Sequence, residues 1–273
     1  MKIAAVQMVS TPRVADNLAA ASRLVAQAAN DGAQLIALPE YFCVMGKTDR
    51  DKLEVAERPG DGPIQQMLAA LAREHGVWLI GGTLPLKSVD PDRVLNSNCV
   101  YAPDGTLAAR YDKIHLFKYD NGRERYDEGN AIRAGTVPTT FQAGVLKVGL
   151  SVCYDLRFPE LYRELMHPPC DLISVPAAFT YTTGLAHWEL LLRARAVENQ
   201  CYVVAAAQGG THENGRRTFG HSMVIDPWGK VLNVLPEGEG VVLAELDLER
   251  TASVRLQLPA LEHRRATAGL PVC

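Results

Sequence analysis

The sequence predicts a mixed α/β fold built in layers. Short apolar runs rich in β-branched residues alternate with helical patterns, and hairpin signals interrupt the alternation. The 273 residues are 47% hydrophobic and 22% charged, which supplies a sizeable core under an ordinary soluble surface.

Each element has its own signal. IAAVQM (3–8) reads as a strand. The apolar run of residues 2–8 begins after a Lys as a signal peptide would, but Gln7 interrupts it, Pro12 and Arg13 follow, and no small-residue cleavage site stands behind it. LAAASRLVAQAAN reads as a helix capped by Asp16-Asn17 and stopped by Gly32. QLIAL (34–38) is a second strand, ending at Pro39-Glu40, and residues 63–75 are a helix with Pro63 near its first position. VWLIGGT (77–83) is a third strand, and two strand patterns flank Pro103-Asp104-Gly105 as a hairpin. After a polar stretch (119–136), VLKVGLSV (145–152) is a strand that runs into Cys153. Strands over 171–177 and 201–208 enclose a helix near 184–199. A hairpin around Pro227-Trp228-Gly229 and a last strand near 240–246 complete the pattern. With no linker, repeat or low-complexity segment, residues 1–273 read as one domain, with an extended or partner-dependent tail from about 260.

Charge and cysteine usage narrow the function classes. The formal charge of −3 has no basic cluster, so neither nucleic acid nor an anionic membrane is called for as partner. No apolar stretch approaches the ~20 residues that span a bilayer. The six cysteines form no CxxC pair, which points to free thiols in a reducing cytoplasm rather than to a disulfide framework or a zinc site. No Gly-rich phosphate loop stands in the chain.

Three contexts carry chemistry together. Glu40 follows the LIALPE strand, Lys113 stands in RYDKIHLF, and Cys153 in GLSVCYDLRFPEL. In these motifs the chain resembles the nitrilase (carbon–nitrogen hydrolase) superfamily, whose Glu–Lys–Cys triad stands in such settings and in this order. The resemblance runs from AAVQM to the DPWGKV hairpin. It implies a four-layer α–β–β–α sandwich, no cofactor or metal, and a homodimer or larger oligomer paired through the helices after the cysteine and in the 184–199 region.

The physical logic agrees. Strand carboxyl ends are where α/β folds place ligand sites. Cys153 opens a strand-to-helix turn, where a helix N-terminus and a nearby cation are expected to lower the thiol pKa. Its thiolate would attack an amide carbonyl and pass through a thioester. Glu40 is the expected general base. Lys113, whose free pKa is ~10.4, fits better as an oxyanion donor with the backbone N–H of Tyr154. On this reading Lys113→Ala costs most of the rate and little stability. The resemblance also implies a second glutamate before the cysteine. Glu128, seven residues before Gly135, fits that pattern, with Glu124 as its rival. Cys43 is a possible decoy nucleophile without the strand-to-helix setting.

CYDLRFPELYR and GLAHWELLLRARAVENQCYVVAAAQGG…FGHSMVIDPWG resemble the Nit branch of the superfamily. That branch includes members that hydrolyse deaminated glutathione and ω-amidases that act on α-ketoglutaramate. The QCYVVAAAQ and GHSMVIDPWG phrasing is closer to the former, which implies release of α-ketoglutarate and Cys-Gly. A nitrilase, an N-carbamoyl amino-acid hydrolase or a non-catalytic scaffold remain the alternatives.

A small-molecule amide bearing carboxylates needs a cation in its pocket. Arg157 offers a planar fork, its competing role being an ion pair with Glu160. Phe179 matches an aromatic that lines the Nit-branch site, and Tyr181, Thr182 and Thr183 belong to the same pocket loop. His187, Trp188, Arg193 and Arg195 read as packing and ion-pairing residues, and His115 and His221 have no evident tie to the triad.

Overall fold

Side-chain parity along the first strand sets the layering. In the computed structural model, which describes residues 1–265, β1 (Lys2–Gln7) sends Ile3 and Ala5 into one apolar core and Ala4 and Val6 into another. A strand covered on both faces reads as a continuous apolar run, as this one does. The same parity holds in β2 (Leu35–Ala37), where Leu35 and Ala37 face one core and Ile36 the other. It holds again in β3 (Trp78–Ile80), between Ile80 and Leu79.

Two sheets result. In the first, β1, β2 and β3 run parallel. The strands β4 (Leu84–Lys87), β5 (Val94–Tyr101) and β6 (Leu107–Asp112) extend it on one side. A hairpin, β7 (Lys118–Asp120) with β8 (Arg125–Asp127), stands apart. The second sheet has six strands. Its parallel centre is β10 (Leu146–Leu150), β11 (Leu172–Ser174) and β12 (Tyr202–Ala205), and β9 (Thr139–Ala143) flanks it. A small ribbon, β13 (Gly209–Thr211) with β14 (Arg217–Phe219), precedes β15 (Ser222–Ile225) and β16 (Val231–Leu235), which complete that sheet. The last strand, β17 (Gly240–Glu245), returns to pair antiparallel with β1.

Helices cover the outer faces. The helices α1 (Val14–Asn30) and α3 (Pro63–His75) close the second apolar core against the first sheet; a single turn, α2 (Asp51–Glu54), precedes α3. The helices α4 (Pro159–Glu164) and α5 (Tyr181–Asn199) cover the other sheet, burying Leu161, Tyr162, Trp188 and Leu192. The order is the expected α–β–β–α sandwich. A final helix, α6 (Leu248–Gln257), ties to it through the Arg255 guanidinium on the Cys170 carbonyl (2.6 Å).

Several boundaries differ from the sequence expectation. Helix α1 begins at Val14, so Asp16 and Asn17 are not its cap. Asn17 is buried in the first turn, where its side chain accepts from the Thr11 N–H and donates to the carbonyls of Thr11 and Cys43. It ties the helix entry to the loop after Glu40. Helix α5 starts at Tyr181, three residues before the expected 184. The polar stretch 119–136 holds β8, the end of β7 and a 3-10 turn over Glu128–Asn130. The central strands are shorter than read, although backbone pairing between neighbouring segments continues past their ends. After β11, for instance, the Pro176 carbonyl accepts from the Cys153 N–H (2.9 Å). Of the tail expected from about 260, residues 260–265 follow α6 and the remainder lies outside the described residues.

Candidate active site

Four chain segments meet at the carboxyl ends of the two parallel triplets. Glu40 stands three residues past β2, Lys113 directly follows β6, the 3-10 turn at Glu128 follows β8, and Cys153 stands three residues past β10. Two glycines let the supporting backbones close in. A Cβ at Gly82 would run into the Pro39 carbonyl behind Glu40, and one at Gly135 into the Asp112 carbonyl behind Lys113. Gly82 also has φ +58°, which a side chain rarely adopts.

Lys113 is the hub. It is fully buried, and its ammonium donates to Glu40 Oε1 (2.8 Å) and to both oxygens of Glu128 (3.0 and 2.8 Å). Burial opposes its charge, but Glu128 and Glu40 outweigh that and hold its pKa above the ordinary lysine value. Glu128 shows the converse: burial favours its neutral form, yet Lys113 and the Phe117 N–H (2.7 Å) hold its pKa below the usual carboxylate range. The Tyr41 hydroxyl adds a bond to Glu128 Oε1 (2.6 Å). Glu40 is equally enclosed, accepting from the Asn96 side chain (2.9 Å) and from the Ala178 N–H (2.9 Å). Glu124 stands apart, receiving the Thr182 hydroxyl (3.0 Å), so the geometry places Glu128 and not Glu124 beside Lys113.

Burial corrects the expectation that Lys113→Ala spares stability. Removing the ammonium leaves two enclosed carboxylates without their counter-charge, and breaking a buried pair costs about 3–5 kcal/mol.

Cys153 sits at the first position of a 3-10 turn, Cys153–Arg157, with φ +49°. Strained backbone of this kind is sustained only where the surroundings over-determine it. Here Asp155 does so. Fully buried, its carboxylate accepts from the Val152 N–H (2.8 Å), the Tyr111 hydroxyl (2.7 Å) and the His115 N–H (3.0 Å), and it meets His115 Nδ1 (2.7 Å). The His115 ring stacks on Phe158 with centroids 3.7 Å apart. His115 therefore braces the cysteine turn through Asp155.

The expected low thiol pKa is not found. Burial pushes the Cys153 thiol well above its ordinary value, and the charge of Glu40 adds to that; Lys113 opposes without prevailing. A five-residue 3-10 turn has little dipole to offer, and the ammonium is already shared by two carboxylates. Burial and the neighbouring Glu40 thus disfavour the free thiolate.

Above Cys153 lies a narrow crevice lined by Phe117, Tyr154, Ala178, Phe179, Thr180 and Thr183, with room for about 10 Å³, or one water. The Arg157 guanidinium lies over the Phe179 ring (5.2 Å) and the Tyr154 ring (5.8 Å) and approaches His187 Nδ1 (3.3 Å). Among the described residues it makes no ion pair with Glu160. A larger cleft of about 680 Å³ between β4–β6 and residues 133–139 includes none of these groups.

The remaining candidates are structural. Trp188 is fully buried and donates to the His221 carbonyl (2.9 Å), Arg193 donates to the Gly229 carbonyl (2.8 Å), and Arg195 to the Leu156 carbonyl (2.7 Å). Cys43 lies in the core under α1 and α3, its thiol facing the Thr83 carbonyl (3.9 Å). Sequence reasoning missed Asn96, Tyr41 and Asp155. Tyr41 and Asp155 stand next to or two residues from a named residue, but Asn96 reaches Glu40 from β5, which the sheet sets two strands from β2.

Residues 2–256 match the carbon-nitrogen hydrolase family. A deaminated glutathione amidase of Yersinia enterocolitica is 40% identical over 271 residues, covering 98% of this chain and 94% of the relative. An omega-amidase, NIT2-A of Xenopus laevis, is 38% identical over 97% of this chain and 95% of its own. The solved NitFhit protein of C. elegans superposes with a TM-score of 0.90 at 40% identity, over 97% of this chain and 65% of that longer one. With this match over nearly its whole length, the chain belongs to the carbon–nitrogen hydrolase family.

Proposed function

We propose that this amide-cleaving hydrolase acts on deaminated glutathione, releasing α-ketoglutarate and Cys-Gly, with Cys153 as nucleophile. The observation that carries the chemistry is the buried Glu40–Lys113–Glu128 cluster set against the Cys153 thiol. The substrate reading rests on the 40% identity to an amidase of that name.

A thiol whose ionisation is disfavoured supports a concerted order of events. Glu40 takes the thiol proton as sulfur attacks the amide carbonyl, so charge forms only as the C–S bond forms. The oxyanion is met by the Lys113 ammonium and the Tyr154 N–H, which lies in the first turn of the 3-10 helix, where intrahelical partners are lacking. Glu40 then returns the proton to the departing nitrogen as the C–N bond breaks. It next deprotonates a water, which attacks the thioester carbonyl. Collapse releases the carboxylic acid, and the thiol regains its proton. Glu128 holds Lys113 in place throughout. Phe179, Tyr154 and Arg157 would seat the carboxylate of the acyl half.

An omega-amidase relative at 38% identity favours α-ketoglutaramate as the second reading. Steady-state kcat/KM on both amides tests the choice; deaminated glutathione is expected to be preferred by at least tenfold, and the reverse order would make the enzyme an ω-amidase. We further read the chain as one catalytic domain of the cytoplasm that self-associates. Supporting this, no helix among the described residues is long and apolar enough to cross a membrane, and α5 exposes Leu185 (70%), Leu190 (67%) and Val197 (50%).

A further inference from the structure

A second cation reaches the site from the loop between β13 and β14. Asn214 Oδ1 accepts from the Arg216 N–H (2.9 Å), and the Asn214 amide donates to the Gly46 carbonyl (2.6 Å). From this fixed backbone Arg216 extends over the Tyr126 ring (5.1 Å) and donates through Nη2 to the Ala178 carbonyl (2.8 Å). Ala178 is the residue whose N–H holds Glu40. Arg216 is thus linked to Glu40 through a single residue, Ala178.

Its guanidinium is under-used. The Nε–H is buried and has no hydrogen-bond partner among the described residues, and no carboxylate there pairs with the head group. Arg195 shares the unpartnered Nε–H but differs in charge pairing, since its head donates to the Glu198 carboxylate (2.9 Å) and the Leu156 carbonyl (2.7 Å). A half-enclosed guanidinium with one neutral acceptor carries a desolvation cost that an anion would offset.

Arg216 borders a cleft of about 490 Å³ that also includes Tyr41, Lys52 and Tyr126. Lys and Arg outnumber Asp and Glu on its wall by six to two. Lys52 is largely buried, its ammonium 4.7 Å from the Tyr41 ring centroid, with Asp49 as its acid partner (3.3 Å). The cleft adjoins the crevice over Cys153, since Phe117 packs on Tyr126 (5.7 Å). A crevice that holds one water forces the bulk of a peptide amide outside it, and the neighbouring space is cationic.

We propose that Arg216, with Lys52 beside it, is a specificity-determining residue that holds a second carboxylate of the substrate, separate from the one at Arg157. The two arginines rest on different walls, Arg157 on Phe179 and Tyr154, Arg216 on Tyr126 and the Ala178 carbonyl. A substrate with one carboxylate on each side of the scissile bond engages both; α-ketoglutaramate has only one. The inference rests on the substrate reading above and explains how the preference arises.

The test is kcat/KM for deaminated glutathione, its C-terminal carboxamide and α-ketoglutaramate, with wild type, Arg216→Gln and Arg216→Lys. In Arg216→Gln the preference for deaminated glutathione over α-ketoglutaramate is expected to fall at least tenfold, carried by KM. Arg216→Lys should recover part of it. Amidation of the C-terminus should penalise the wild type tenfold or more and Arg216→Gln hardly at all. An unchanged preference, or an equal loss on both substrates carried by kcat, reduces Arg216 to a prop for Ala178 and overturns the proposal while the function stands. If the wild type hydrolyses neither amide, the substrate reading fails and the second-carboxylate site fails with it.

Discussion

Lys113 joins chemistry to stability, because one ammonium neutralises two enclosed carboxylates. Lys113→Ala is expected to lower unfolding free energy by about 3–5 kcal/mol, read from urea titration, as well as removing turnover. Unaltered stability would mean that water or a proton compensates the pair. For the second glutamate, Glu128→Gln should lower kcat by about 10²-fold or more, the scale of losing one preorganised site group, while Glu124→Gln should stay within a few-fold. Similar losses in both would remove the distinction the geometry makes. At this scale much of the site was legible in the sequence. Glu40, Lys113 and Cys153 stand in recognisable contexts, and Glu128 is preferred, with Glu124 still open as its rival, because its spacing to Gly135 fits the pattern that the resemblance implies. The state of the thiol was not. A cation nearby suggests a thiolate, and the burial of the thiol, with the charge of Glu40 added, reverses the sign.

Among the elements, those defined by local pattern were read well and those defined by distant partners were not. Parity along β1 and Pro63 at the start of α3 are local facts. The start of α1 was misplaced because Asn17 serves the Thr11 and Cys43 carbonyls rather than a helix end. The β13–β14 loop carries a prediction of its own. His212 is buried between the Ser10 carbonyl (2.9 Å) and the Thr218 hydroxyl (2.8 Å), and burial pushes its pKa down to about 4. The unfolded chain, with an ordinary histidine near 6.5, binds the extra proton between those values. Stability from this residue is therefore fully present above about pH 6.5 and lost as pH falls toward 4. Between pH 7 and 5 the loss is about 2 kcal/mol. The urea midpoint should fall over that interval and fall less in His212→Gln; an equal fall in both would assign the dependence elsewhere.

Over the whole molecule, the sandwich brings together residues that no local pattern could join. Glu40 and Cys153 arrive from different sheets, and Arg216 from a ribbon belonging to neither. Strand–helix alternation gave the class of fold, but the pairing of β17 with β1 closes the first sheet across almost the entire chain. If the chain self-associates as proposed, the exposed apolar residues of α5 are the surface to test. Leu185→Glu with Leu190→Glu should shift sedimentation toward monomer at micromolar concentration with far-UV spectra retained, since an exposed apolar patch marks an interaction surface. A species unchanged by both substitutions would place the interface elsewhere. The most direct test of the account is steady-state release of Cys-Gly from deaminated glutathione by wild type and Cys153→Ala. The wild type is expected to turn over and Cys153→Ala to lose about 10⁴-fold or more in kcat while folding normally; undiminished turnover by folded Cys153→Ala would contradict the assignment of the nucleophile.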